Sequence, residues 1–197
     1  MTKKMIFVFS GPSGAGKTTL IRHILQTFSD EIGESISCTT RQPRGGELDG
    51  ISYHFISPER FNTFVENGEF LEYTECYGNR YGTLKSSIDD LLKHKMACIM
   101  DVEYIGAHSI LSGPFPPNTS RIGILVLPPS IAALKNRLLN RKSETEESLN
   151  RRIQGSFDPE IVADYHHILI NEEIKRSKES IIRLIENSLI NTNNGLG

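Results

Sequence analysis

The 197 residues suffice for one α/β core and are too few for two unrelated large domains. Hydrophobic residues make up 38% and charged residues 23%, the balance of an ordinary globular protein. The 22 basic and 24 acidic residues leave a net charge of −2, which argues against a basic surface that grips nucleic acid but not against a small anionic ligand.

The chain opens with Met5–Phe9, an unbroken apolar, β-prone run expected to be a strand buried on both faces of a parallel sheet. Five apolar residues are too few for a signal peptide, and no run approaches the roughly 18 of a membrane span. The strand ends at Ser10-Gly11. From Thr18 to Phe28, Leu20, Ile21, Ile24, Leu25 and Phe28 then recur at helical spacing. Strand, glycine turn and helix open an α/β unit. Further buried strands are expected at Ala97–Met100, Ile122–Leu127 and Ile168–Ile170, and helices at Ser130–Leu139 and Lys178–Leu189.

Between Ser37 and Lys95 the composition shifts to aromatic and polar residues punctuated by glycines, as in a small unit folded apart from the core. The charged stretch from Asn140 to Ala163 suggests a helical flap. The expected organisation is a core of residues 1–36, 96–139 and 164–190, an insertion at 37–95, a lid at 140–163 and a tail at 191–197. Cys38, Cys76 and Cys98 form no CxxC pair, fitting neither a disulfide framework nor a zinc site. They point to a reducing, cytoplasmic setting, in which the Asn118-Thr119-Ser120 sequon would stay unmodified.

Residues Gly11-Pro12-Ser13-Gly14-Ala15-Gly16-Lys17-Thr18 match GxxxxGK[ST]. In such a loop the backbone N–H groups turn inward around phosphate oxygens, and the following helix adds its positive end. Lys17 would reach the β- and γ-phosphates and the Thr18 hydroxyl would ligate Mg²⁺. Asp101, closing the run Ala97–Met100, stands where a strand-end acid could hold a metal-bound water or a substrate group; a plain turn cap is the alternative. A phosphate loop does not name the acceptor. Arg41 and Arg44 lie three residues apart around Pro43, which biases Gln42 away from helix, so the two guanidinium forks could chelate one phosphate. An RxxR pair alone is more often a solvated face. Glu72, followed by Tyr73 and then Tyr81-Gly82-Thr83, offers a carboxylate that could accept from N1–H and N2–H₂ of guanine together, a pair that adenine lacks. None of the six histidines is needed by this chemistry; they read as surface or packing residues.

In the same order, GPSGAGKTT, SISCTTRQPRGGELDGISYHF, GEFLEYTECYGNRYGT, IMDVE, LPPSIAALKNRLLNR with ETEESLNRR, and INEE resemble guanylate kinase over nearly the whole chain, from about Ile6 to Leu189. The resemblance implies a P-loop nucleoside monophosphate kinase fold: a parallel sheet flanked by helices, a small mixed GMP-binding insertion and a helical lid. It implies phosphoryl transfer from Mg²⁺-bound ATP to GMP or dGMP, without nucleic acid or membrane partners, in a monomer or a homodimer. By the same resemblance the phosphate loop, Thr19 included, takes ATP. Arg41, Arg44, Tyr53 and Tyr81 hold the GMP phosphate, and Ser37, Glu72 and Thr83 read guanine. Asp101 lies between metal and GMP. Arg137, Arg141 and Arg152 close over the ATP phosphates, and Asn171 lies near adenine. Three positions depart from the family pattern: Glu103 stands where aspartate is usual, Tyr104 is read as packing, and Lys142-Ser143 as a change in lid flexibility. A scaffold domain that binds phosphorylated partners through a GMP-like site would typically lack the intact phosphate loop. A kinase of similar fold acting on a phosphorylated sugar should lack Glu72 and Thr83. Closure of both insertions over the core would keep water from the phosphoryl group.

Overall fold

The computed structural model describes residues 3–76, 78–114, 118–139 and 162–193. The expected lid falls almost wholly outside them, and Arg141, Arg152 and Lys142-Ser143 with it.

Among the described residues the core is a five-stranded sheet built from β1 (Lys4–Ser10), β2 (Ile32–Glu34), β7 (Ala97–Asp101), β8 (Thr119–Leu127) and β9 (His167–Ile170), in the order β2-β7-β1-β8-β9. Every pairing in it is parallel. Central β1 is apolar from Met5 to Phe9 because helices cover both of its faces. On one face Phe7 and Phe9 pack with Leu20, Ile21 and Ile24 of α1 (Lys17–Thr27) and with Ile181 and Ile185 of α6 (Ile174–Asn193). On the other, Ile6 and Val8 pack with Ile88 of α3 (Lys85–His94) and with Ala107 and Ile110 of α4 (Tyr104–Ser112). The chain leaves β1 towards β2 on one side and later adds β8 and β9 on the other. The phosphate-loop pattern therefore follows the strand at which the order reverses, where open α/β sheets place ligands at the carboxyl ends of their strands.

The second sheet, in the order β4-β3-β6-β5, consists of β3 (Cys38–Thr39), β4 (His54–Phe55), β5 (Phe70–Cys76) and β6 (Asn79–Leu84). Helix α2 (Pro58–Glu66) starts with Ser57 accepting from the Arg60 amide, and its Phe61 packs on Phe70 with ring centres 4.5 Å apart. Along β5 the burial alternates: Phe70, Glu72 and Thr74 point inward, Tyr73 outward. Within the stretch read as an insertion, this sheet ends at Leu84, and α3 packs on the core sheet through Ile88. Helix α5 (Ile131–Leu139) follows β8. No described helix is long and apolar enough to cross a membrane.

Candidate active site

A cleft of about 490 Å³ lies between the two sheets. One wall is the phosphate loop, with Pro12, Ser13, Gly14, Gly16, Lys17 and Thr18. The other carries Ser37, Arg41, Arg44, Tyr53, Glu72 and Tyr81, and Asp101 lies with them. Most residues picked out along 90 positions of sequence thus meet in one space.

The loop's shape depends on glycine at two crowded points. Gly11 has φ 137°, and a Cβ there would overlap the Val126 carbonyl oxygen of the neighbouring strand. Gly16, at φ 101°, caps α1, and a Cβ there would overlap the Asn171 side-chain nitrogen. Lys17 folds back so that Nζ donates to the Gly11 carbonyl at 2.6 Å and stands 3.8 Å from Asp101. Asp101 is the last residue of β7, in register with Phe9 on β1. Burial pushes its pKa up, and Lys17 pulls it back only in part. The half-buried Asp101 carboxylate and the Thr18 hydroxyl line the same cleft, a pair of hard oxygen donors that fits a small divalent cation shared with substrate phosphates.

On the opposite wall Glu47 organises the arginine segment. Its carboxylate accepts from Arg41 Nη2 at 2.9 Å and from the Arg44 amide at 2.8 Å. Arg41 also donates to the Gln42 carbonyl and stacks over Tyr53 at 5.5 Å. Tyr53 meets Tyr81 edge-on, with ring centres 6.0 Å apart. Burial, then the charge of Asp101, pushes the Tyr53 phenol up to about 12, so it stays a neutral hydroxyl. Two guanidinium groups and two phenols make a donor-rich end for a phosphate.

Glu72 sits deeper, only 6% exposed. Thr83, paired with it across β5 and β6, donates its hydroxyl to Oε1 at 2.7 Å. Ser37 Oγ lies 3.0 Å from Thr83 Oγ1. Thr83 has one proton and gives it to Glu72, so Ser37 donates to Thr83. Burial raises the Glu72 carboxyl to about 7, against the pull of Thr83, and Glu103 adds a smaller push in the same direction. This end presents a carboxylate acceptor that a ligand with paired N–H donors would satisfy.

Several chosen residues lie behind the cleft rather than on it. Thr83 is fully buried behind Ser37 and Glu72, and Ala15 is buried in the loop. Thr19 is exposed on the first turn of α1. Asn171, 3% exposed, donates from Nδ2 to the Ala15 carbonyl at 2.7 Å and so braces the loop from beneath. Arg137 donates to the Asn171 carbonyl at 2.8 Å, so its guanidinium is tied to the same junction. Sequence reasoning did not single out Glu47, Thr74, Glu75, Cys76, Val102 or Ile105, which also line the cleft. Only Glu47 carried a signal, as the acid closing the arginine segment.

A loop of the phosphate-binding pattern faces a wall of arginines and tyrosines across one cleft beside a parallel α/β sheet, the arrangement of a nucleoside monophosphate kinase. The family model for guanylate kinase matches residues 3–188. A guanylate kinase of Clostridioides difficile (strain 630) is 40% identical over 184 residues, 93% of this chain and 87% of that protein. One of Ruegeria sp. (strain TM1040) is 37% identical over 92% of this chain and 82% of its own length. The crystal structure of guanylate kinase from Anaplasma phagocytophilum superposes with a TM-score of 0.71 over 95% of this chain and 87% of that one; at 24% identity this shows the shared fold. The chain belongs to the guanylate kinase family.

Proposed function

We propose that the chain transfers the γ-phosphoryl group of ATP to GMP, and also to dGMP, giving ADP and GDP or dGDP. The observation that carries this reading is the buried Glu72, clamped by Thr83 on the same cleft as Lys17. The loop side takes the donor: backbone amides of residues 11–18 surround its phosphates and Lys17 follows the β- and γ-oxygens. The far side takes the acceptor: Arg41, Arg44, Tyr53 and Tyr81 hold its phosphate, while Glu72, Thr83 and Ser37 receive guanine. dGMP presents the same phosphate and base.

Thr18 and Asp101 would hold Mg²⁺, which when bound neutralises charge on the transferring phosphoryl group. Protein residues supply the rest: Lys17 balances charge on the donor side, where Arg137 would join it by leaving the Asn171 carbonyl, and Arg41 and Arg44 fix the acceptor. The remaining lid arginines would add to this, an arginine on the transferring group being worth about 10³–10⁵ in rate. Asn171 would serve the ATP side through the loop it braces. The setting proposed is the cytoplasm.

A coupled ADP-release assay across GMP, dGMP, AMP, UMP and ribose phosphates tests the reading. Turnover with GMP and dGMP and little with the others is expected; no turnover with GMP would sink it.

A further inference from the structure

Helix α4 carries a glycine that its backbone does not need. Gly106 is the third residue of the helix, within a regular turn in which the Ala107 amide bonds the Glu103 carbonyl. Its φ is not in the left-handed region, and glycine weakens a helix interior relative to alanine. The explanation lies across the cleft floor. A Cβ added at Gly106 would overlap Oε2 of Glu72 and stand 3.1 Å from its Cδ. The Glu72 carboxylate therefore meets the first turn of α4 through Oε2. There the first amides have no helical partner and the helix dipole is positive.

Glu72 cannot yield cheaply to such a Cβ. Its other oxygen is held by Thr83 at 2.7 Å, Thr83 is held by Ser37, and the side chain is buried. Pushing Oε2 off Gly106 turns the carboxylate plane, which either strains the Thr83 bond or carries both oxygens into the space for the base. We propose that Gly106 is a positioning residue for base selection: its missing side chain sets the plane of the Glu72 carboxylate, and so fixes recognition of a purine bearing both an N1–H and a 2-amino group. This rests on the reading of Glu72 as the guanine acceptor.

The test is kcat/KM for GMP against inosine 5′-monophosphate, which keeps N1–H and lacks the 2-amino group, with ATP KM measured alongside. Four proteins are compared: wild type, Gly106→Ala, Glu72→Gln and the variant carrying both changes. A displaced carboxylate loses the second hydrogen bond first, so Gly106→Ala should cut the GMP preference about tenfold with ATP KM unchanged. In a Glu72→Gln background, adding Gly106→Ala should leave the ratio where Glu72→Gln put it. A merely structural role would instead weaken GMP and the inosine nucleotide alike. That result, or an unchanged ratio in Gly106→Ala where Glu72→Gln lowers it, overturns the inference and leaves the guanine reading standing. An unchanged ratio in Glu72→Gln overturns both. If Gly106→Ala does not fold, Gly106→Ala combined with Glu72→Ala decides. Recovery of folding assigns the clash to Glu72; continued failure overturns the proposal.

Discussion

Thr83 donates its single hydroxyl proton to Glu72 at 2.7 Å, which obliges Ser37 to donate to Thr83 and gives the chain of three residues one direction. The direction matters because it ends on the carboxylate proposed to receive the base. Thr83→Val keeps the shape and removes the donor. Glu72 would then lose a buried partner, so the variant should lose about 1–3 kcal/mol of stability in urea unfolding. GMP KM should rise several-fold while ATP KM holds. Equal rises in both KM values would mean that Thr83 supports the cleft generally and not the base end.

The Glu72 carboxyl, raised from 4.5 to about 7 by burial, makes GMP binding pH-dependent. Guanine donors need the ionised form, so GMP should bind more tightly as pH rises from 6 to 8. Stability runs the other way. The folded state holds this proton more tightly than the unfolded chain, so the contribution is full below about 4.5 and is lost as pH rises through about 7. Calorimetric titration of GMP and thermal unfolding of the free protein, each in wild type and Glu72→Gln, check both signs. GMP's own phosphate titrates near pH 6, and the variant isolates that contribution. Profiles that are identical in the two proteins would exclude Glu72 as the titrating group.

Lys17, tied to the Gly11 carbonyl and facing Asp101, sits wholly on the loop side. Lys17→Ala should abolish phosphoryl transfer and leave GMP affinity within about twofold, since Arg41 is held by Glu47 and Tyr53, Tyr53 by Tyr81, and Glu72 by Thr83 rather than by Lys17. Equilibrium titration with GMP gives the answer directly. A large loss of GMP affinity would show that the two walls do not divide the substrates as proposed.

Asn171 joins the end of β9 to the phosphate loop through the Ala15 carbonyl and receives Arg137 on its own carbonyl. Asn171→Ala removes the brace from a buried carbonyl. It should raise ATP KM and lower the unfolding midpoint, a loss of about 1–3 kcal/mol. GMP KM should stay unchanged. An effect confined to GMP would contradict the placement.

The phosphate loop was legible in the sequence because its geometry is local: strand, glycines and helix lie within 25 consecutive residues. The core strands were legible because burial on both faces leaves an unbroken apolar run, as in Phe7 to Phe9. Strand β2 has three residues and only Ile32 is buried, so no period could announce it. Helix α4 was missed because its inward residues include Gly106 and Ala107, which leave no apolar stripe. Glu72 was legible as a candidate by chemistry and resemblance. Its burial, its clamp and its seat on Gly106 depend on residues 11 and 34 positions away. The bracing by Asn171, 156 positions from Ala15, had no local trace.

In the proposed function the buried carboxylate of Glu72 selects the acceptor. Calorimetric titration of GMP into wild type and Glu72→Gln at pH 8, with ADP titrated in parallel, tests it most directly. GMP affinity should fall roughly tenfold or more while ADP affinity holds. Equal GMP affinity in the two proteins would contradict it.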